Sequence, residues 1–356
     1  MKKQLLNVLR FLLFVGVGVV ILYLMYRSQQ AAYLEQCRVD GIAAEDCSLL
    51  DKLIGDFTSA NPFWLLMTVV AFSLSNLFRA LRWNQLLNTL GYTPRVINGF
   101  LTINLGYFAN LGFPRFGEFV RAAFMARYEK IALERVVGTI VVGRVVDVIM
   151  ILLITGIALL LAGGKLYDRA LELMGPQQEA SGLWKVAAAA GALGVFALGL
   201  LWWQRKRLLA STLGQKVVNV VKGFGEGLQT VARVRNVPLF ILYSLGIWAM
   251  YILMTYFVIL SFSPTSHLGP EASLVTFVAG GWGIVIPSPG GMGTFHFLSR
   301  EALFLYDVPR LEGFSWANIS FFTINLGCHV LIGLFGLLAL PGLNRAYTPA
   351  APEPKA

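Results

Sequence analysis

Six stretches of this chain run apolar for long enough to cross a bilayer: residues 5–26, 62–83, 136–162, 183–203, 238–262 and 315–340. About 20 helical residues, rising about 1.5 Å each, traverse roughly 30 Å of hydrocarbon. This feature narrows the fold further than any other. Inside lipid only helices and closed barrels satisfy every backbone N–H and C=O, and runs this long are helical. The chain is therefore expected to be an all-α polytopic membrane protein. A 56% apolar content, 13% charged residues and a mean hydropathy of +0.66 agree. The first stretch is not read as a signal peptide, because its apolar run is long and no small-residue cleavage site follows.

The net charge of +10 raises the question of a nucleic-acid partner, and its distribution answers it. Lys2, Lys3 and Arg10 lie at the start of the chain, and Arg205, Lys206, Arg207, Lys216, Lys222, Arg233 and Arg235 follow the fourth stretch. The connector 27–61 instead carries Glu35, Asp40, Glu45, Asp46, Asp51 and Asp56. The positive-inside rule then places both termini in the cytoplasm and residues 27–61 outside. The basic excess reads as orientation and contact with anionic lipid, with no nucleic-acid partner. Arg79 and Arg82, near the end of the second stretch, read as snorkelling to the cytoplasmic interface. Cys37 and Cys47 fall on the outer side, where a disulfide and two free thiols are both open readings. Cys328 reads as a small apolar packing residue.

Two regions do not fit simple crossings. Residues 98–131 are broken at Pro114, and residues 272–308 are broken at "PSPGGMG", that is Pro287, Ser288, Pro289, Gly290, Gly291, Met292 and Gly293. Short, Pro/Gly-interrupted apolar arms bearing charges suggest two re-entrant helical hairpins, with pairs of short tilted spans as the alternative. The order span, connector, span, broken hairpin, span then occurs twice, over 1–162 and 183–343, with 163–182 as an external connector. Each half crosses three times, so the second is expected to be inverted relative to the first. Residues 214–235 place Val217, Val218, Val221, Phe224, Leu228 and Val231 at helical spacing between basic residues, as in a surface-lying helix. The Pro/Ala-rich tail 344–356 reads as disordered.

The chain shows no CxxC, HExxH or P-loop pattern, so no metal, cofactor or nucleotide chemistry is expected. What it does hold is "NLGFPRFGEFVRAAF" at 110–124. Pro114 ends one half-helix and frees its last carbonyls, and Phe116 begins the next, with Gly117 in the turn; that N-terminus carries positive dipole character and unpaired N–H groups. Arg115, Glu118 and Arg121 then form either an electropositive pocket for a phosphate-like head group or a buried ion network that holds the hairpin shut. Arg144 and Asp147, three apart within a span, should face the protein interior, first as an ion pair positioning that hairpin and second as ligand contacts. His296, after the glycine-rich turn, could couple a proton or serve as a neutral hydrogen-bonded structural residue. His329 reads as a polar interhelical contact.

In four places the chain resembles the flippase-like family named after the transmembrane region of lysylphosphatidylglycerol synthase: "RALRW" (79–83), "NLGFPRFGEFVRAAF", "GTIVVGRVVDV" (138–148) and "IPSPGGMGTF" (286–295). The resemblance implies a multi-pass protein of a prokaryotic cytoplasmic membrane. It also implies lipid translocation, placed on Arg115, Glu118, Arg121, Arg144, Asp147 and the 287–293 turn, with a membrane lipid as partner. The family's best-known members flip aminoacylated phosphatidylglycerol, and relatives are associated with other lipids and polyprenyl-linked sugars. The soluble aminoacyl-transfer domain of the synthase has no counterpart in these residues, so lysyl transfer is not expected, and the leading expectation is a translocator rather than an enzyme. Two other readings stand beside translocation. One is an enzyme acting on lipid or polyprenyl phosphates through Glu118, Asp147 or His296, and the other is a scaffold recruiting a lipid-modifying synthase through residues 205–235.

Overall fold

The computed structural model describes residues 47–112, 116–174, 229–286 and 293–350, with a few more between 23 and 38. The expected spans 5–26 and 183–203, most of the basic connector, Pro114, Arg115 and the turn residues 287–292 lie outside the described residues. Among the described residues the chain is helical. The elements are α1 (Leu49–Ser59), α2 (Pro62–Asn88), α3 (Val96–Gly112), α4 (Gly117–Glu129), α5 (Leu133–Met174), α6 (Val237–Ser261), α7 (Pro270–Val285), α8 (Thr294–Phe304), α9 (Arg310–Phe322) and α10 (Leu331–Leu343). A π-helical stretch, Thr323–Val330, joins α9 to α10.

Four described helices are long and apolar enough to cross a membrane: Pro62–Asn88, Leu133–Tyr167, Val237–Ser261 and Arg310–Leu343. They fall where the apolar runs 62–83, 136–162, 238–262 and 315–340 place them. Local chemistry sets two of the starts. Asn61 accepts the Phe63 N–H at 3.0 Å and Asn236 accepts the Leu239 N–H at 3.0 Å, each beside a first-turn proline whose missing N–H is no loss there. The surface is inverted relative to a water-soluble bundle. Leu160 is 85% exposed and Leu338 79%, while Thr68, Ser75, Asn76, Asn104, Thr276 and Ser299 are buried. Lipid is as apolar as leucine, so polar and small side chains mark the helix interfaces instead.

α2 runs antiparallel against α6, with the Asn61 N–H donating to the Ser261 carbonyl at 2.8 Å. Around this pair the remaining contacts come in matched sets. α2 packs on α3 as α6 packs on α7, and α4 packs on α5 as α8 packs on α9. α10 packs on α3 as α5 packs on α7, and the α3–α4 pair has its counterpart in α7–α8. Cys328 is buried with Ala71, Phe72 and Met254, as a small apolar residue should be.

Close backbone approach holds each short pair together. A Cβ on Gly106 would lie 2.8 Å from the Gly117 carbonyl oxygen, and one on Gly283 would lie 2.8 Å from both the Thr294 carbonyl oxygen and Phe295 Cα. In both cases a glycine on the first arm meets the first residues of the second. At Gly281, two residues earlier and on the opposite face of α7, a Cβ meets nothing within 4 Å.

The connector before α2 is folded back on the bundle. A Cys37–Cys47 disulfide is present, with Cα atoms 6.3 Å apart. Lys52 bridges Asp56 at 2.6 Å and Glu312 at 3.3 Å, and Ser315 donates to Asp56 at 2.6 Å. At the opposite end of α9–α10, Asn344 and Asn98 exchange amide bonds at 2.8 Å and the Tyr347 hydroxyl donates to Glu129 at 2.9 Å. Burial and that bond push the Tyr347 phenol up to about 12. Residues 344–347, read from sequence as the start of a disordered tail, are thus fastened to both arms of the α3–α4 pair.

The two glycines of α7 provide a matched test of the arm packing. Gly283→Ala should destabilise the protein by about 1–3 kcal/mol through overpacking, whereas Gly281→Ala should be neutral or stabilising by up to about 1 kcal/mol. Thermal unfolding of both variants in one detergent checks this; equal effects would contradict the close approach.

Candidate functional site

α2 carries Arg79, Arg82 and Trp83 on one inward face, spaced three and four residues apart. Arg79 Nη1 donates to Asp147 Oδ2 at 2.9 Å and Arg82 Nη2 donates to Asp147 Oδ1 at 2.7 Å, so one carboxylate of α5 is bridged by two guanidiniums of α2. Their side chains are 5%, 3% and 11% exposed. Arg79 also donates to the Tyr251 hydroxyl at 2.9 Å, which lies 3.3 Å from the Tyr107 hydroxyl, and Arg82 donates to Ser244 Oγ at 3.3 Å. Helices α2, α3, α5 and α6 therefore converge on Asp147. The expectation that Arg79 and Arg82 snorkel to the interface is overturned. Their stems do not reach outward, because Asp147 sits within hydrogen-bond range on the inner side.

The second tier is built on α4. The Arg121 guanidinium stacks over the Trp83 ring at 3.9 Å, and the Trp83 indole N–H donates to Thr139 Oγ1 at 2.9 Å. Arg121 Nη1 is 3.5 Å from Glu118 Oε2, which is ion-pair range but too long for a good hydrogen bond. Glu118 Oε1 pairs with Arg144 Nη2, and Arg144 Nη1 lies 3.6 Å from Asp147. Arg144 thus links the hairpin carboxylate to the interior one, the arrangement its spacing with Asp147 suggests. Of the five residues expected at a head-group site, Glu118, Arg121, Arg144 and Asp147 come together; Arg115 lies outside the described residues.

One expected contributor is otherwise engaged. The N-terminus of α4 was to supply unpaired amides, yet the Gly117 N–H donates to Asn110 Oδ1 at 2.7 Å. The Phe119 and Val120 N–H groups donate to the Phe116 carbonyl. The capacity to hold an anion therefore rests on guanidiniums. Among the described residues, four of them (Arg79, Arg82, Arg121, Arg144) face two carboxylates (Asp147, Glu118), a surplus of two positive charges. Arg79 Nε, Arg121 Nε and Glu118 Oε2 have no hydrogen-bond partner. The open space among Arg79, Arg82, Trp83, Arg121, Arg144 and Asp147 is only ≈ 10 Å³, about one water molecule.

The second hairpin is different in kind. His296 is 1% exposed, accepts from the Gly293 N–H at 3.4 Å, and packs 4.9 Å from the Phe321 ring. Gly293 holds φ 84°, in the left-handed region, just before α8 begins at Thr294. His296 does not line the arginine cleft; its surroundings match the hydrogen-bonded structural reading. His329 stacks on Tyr107 at 5.1 Å with the Phe72 ring tilted against it at 5.3 Å, and its Nδ1 has no hydrogen-bond partner. Among the described residues no three His, Cys, Asp or Glu side chains converge as metal ligands.

Sequence reasoning missed Arg79, Arg82, Trp83, Tyr107 and Tyr251 as members of the cluster. The signal that finds the arginines is their own spacing, which repeats the three-residue step of Arg144 and Asp147 inside an apolar run.

These helices and this cluster define a polytopic α-helical membrane protein with a buried, net-positive charge site at the junction of a short helical pair and three long helices. A family model described as the lysylphosphatidylglycerol synthase TM region matches residues 49–328, and the chain belongs to that family. All six charged residues of the cluster fall inside the match. The chain is also similar to the UPF0104 membrane protein MJ1595 of Methanocaldococcus jannaschii, with 30% identity over 109 residues. That match covers 30% of this chain and 32% of the relative, about a third of each. No solved structure matches the chain.

Removing the shared counter-ion is expected to be severe. Asp147→Asn leaves Arg79 and Arg82 buried without a charge partner and should destabilise the protein by about 3–5 kcal/mol. Arg144→Gln, half-exposed and screened, should change stability by under about 1 kcal/mol. Denaturant unfolding in detergent distinguishes them, and equal small effects would show that Asp147 does not anchor the bundle.

Proposed function

We propose that this protein translocates a lipid with an anionic, phosphate-bearing head group across a prokaryotic cytoplasmic membrane. The observation that carries the reading is the surplus of two guanidinium charges, placed among membrane-length helices beside a short helical pair. A charge at mid-bilayer is costly and is kept where a substrate or a partner needs it. Arginine is suited to the task because its planar fork matches phosphate geometry and it stays charged.

α3 and α4, with 17 and 13 residues, and α7 and α8, with 16 and 11, are all shorter than a crossing requires. We read them as re-entrant hairpins entering from opposite sides, the first from the cytoplasm. The matched packing around α2 and α6 supports two halves of inverted topology, an architecture that places substrate sites at the repeat interface. In this reading Arg121 and Arg144 hold the head group, Asp147 fixes Arg79 and Arg82 behind them, and the acyl or prenyl chains stay in the bilayer. The narrow space among the arginines means that the hairpin must shift before a head group enters.

Vesicles containing the purified protein and a fluorescent phosphatidylglycerol test this. Wild-type protein should accelerate transbilayer movement over protein-free vesicles, and Arg121→Gln with Arg144→Gln should reduce the rate tenfold or more. An unchanged rate removes the proposed site. A covalently altered lipid in the extract favours enzymatic processing instead.

A further inference from the structure

Glu118 and Asp147 are both carboxylates in contact with Arg144, but their settings differ. Asp147 is on the middle of a long helix, and both of its oxygens take short hydrogen bonds from α2. Glu118 is in the first turn of α4, and its side chain is 32% exposed. One of its oxygens pairs with Arg144, and the other has only the 3.5 Å approach of Arg121 and no hydrogen bond. Its carboxylate therefore lies between the two guanidiniums least committed elsewhere. Arg121 has an unpartnered Nε and Arg144 is 48% exposed. The cleft on the inner side of these guanidiniums, lined also by Arg79, Arg82 and Asp147, has only ≈ 10 Å³ of open space, so no phosphate fits there and the anion position is the one Glu118 holds.

We propose that Glu118 is an internal stand-in for the ligand. It occupies the anion position between Arg121 and Arg144, and a lipid phosphodiester must displace it to bind. This rests on the reading of the cluster as a head-group site and adds how that site is closed and reopened. A carboxylate and a phosphodiester each present two acceptor oxygens to a guanidinium fork, so the exchange keeps the arginines paired throughout. Removing Glu118 leaves Arg121 without its carboxylate and Arg144 with only the 3.6 Å approach of Asp147, so a phosphate is drawn in more strongly. It also takes away the group that re-forms the empty state, so release slows. Asp147 has no such freedom, because displacing it would strand Arg79 and Arg82.

The test is titration of detergent-purified protein with dihexanoylphosphatidylglycerol, read by calorimetry, with inorganic phosphate in a parallel arm. Glu118→Gln and Glu118→Ala should each bind the short-chain lipid about tenfold tighter than wild type, and Arg121→Gln should lose binding. In vesicles both Glu118 variants should translocate more slowly despite the gain in affinity. Wild-type affinity or weaker in both variants, with binding still dependent on Arg121, overturns displacement while leaving the anion site standing. Absence of lipid binding in wild type and variants alike rejects the head-group site itself. A stronger response to inorganic phosphate than to the lipid overturns the lipid assignment.

Discussion

The Asp147 carboxylate, held at 2.9 Å by Arg79 and 2.7 Å by Arg82, is the interaction on which the rest of this structure depends. Each of these ions loses several kcal/mol of hydration on burial, so the trio persists only because its hydrogen bonds are short and shared. Tyr251 accepts a further hydrogen bond from Arg79 and Ser244 one from Arg82, which ties α6 to α2 and, through Asp147, to α5. The long helices α2, α5 and α6 are thus registered against one another by polar contacts, as expected where lipid supplies no hydrophobic force between helices.

The outer tier is held differently. Arg121 is positioned by the Trp83 face rather than by a short ion pair, and Trp83 is itself fixed by Thr139. A cation oriented by an aromatic ring is held in place without being neutralised. The hairpin that carries it is fastened at its base by Asn344 and Tyr347, away from the cluster.

Much of the fold was legible in the sequence because hydrocarbon thickness sets a length scale that apolar runs reveal directly. The four membrane-length helices begin and end within a few residues of those runs, apart from α5, which continues well past Ala162. The meeting of Glu118, Arg121, Arg144 and Asp147 was legible too, from three-residue spacing within apolar surroundings. Arg79 and Arg82 were not, because a charge near the end of a span fits two environments equally well. Their three-residue spacing hints at the inner face, and the tertiary position of Asp147 decides it. Tyr107, Tyr251 and Trp83 were invisible for a related reason, since aromatic residues are ordinary in a membrane helix until a guanidinium is placed beside them. The expected amide cradle at the start of α4 failed because Asn110, on the other arm, takes the Gly117 amide. No local pattern discloses that contact.

Native mass spectrometry of the protein extracted gently from its own membrane tests the central claim most directly. The expected result is a retained phosphate-bearing lipid on the wild-type chain that is lost or sharply depleted in Arg121→Gln, while the unfolding temperature of the two proteins stays close. Equal occupancy by the same lipid in both proteins, or a wild-type chain that retains only uncharged lipid, would contradict it.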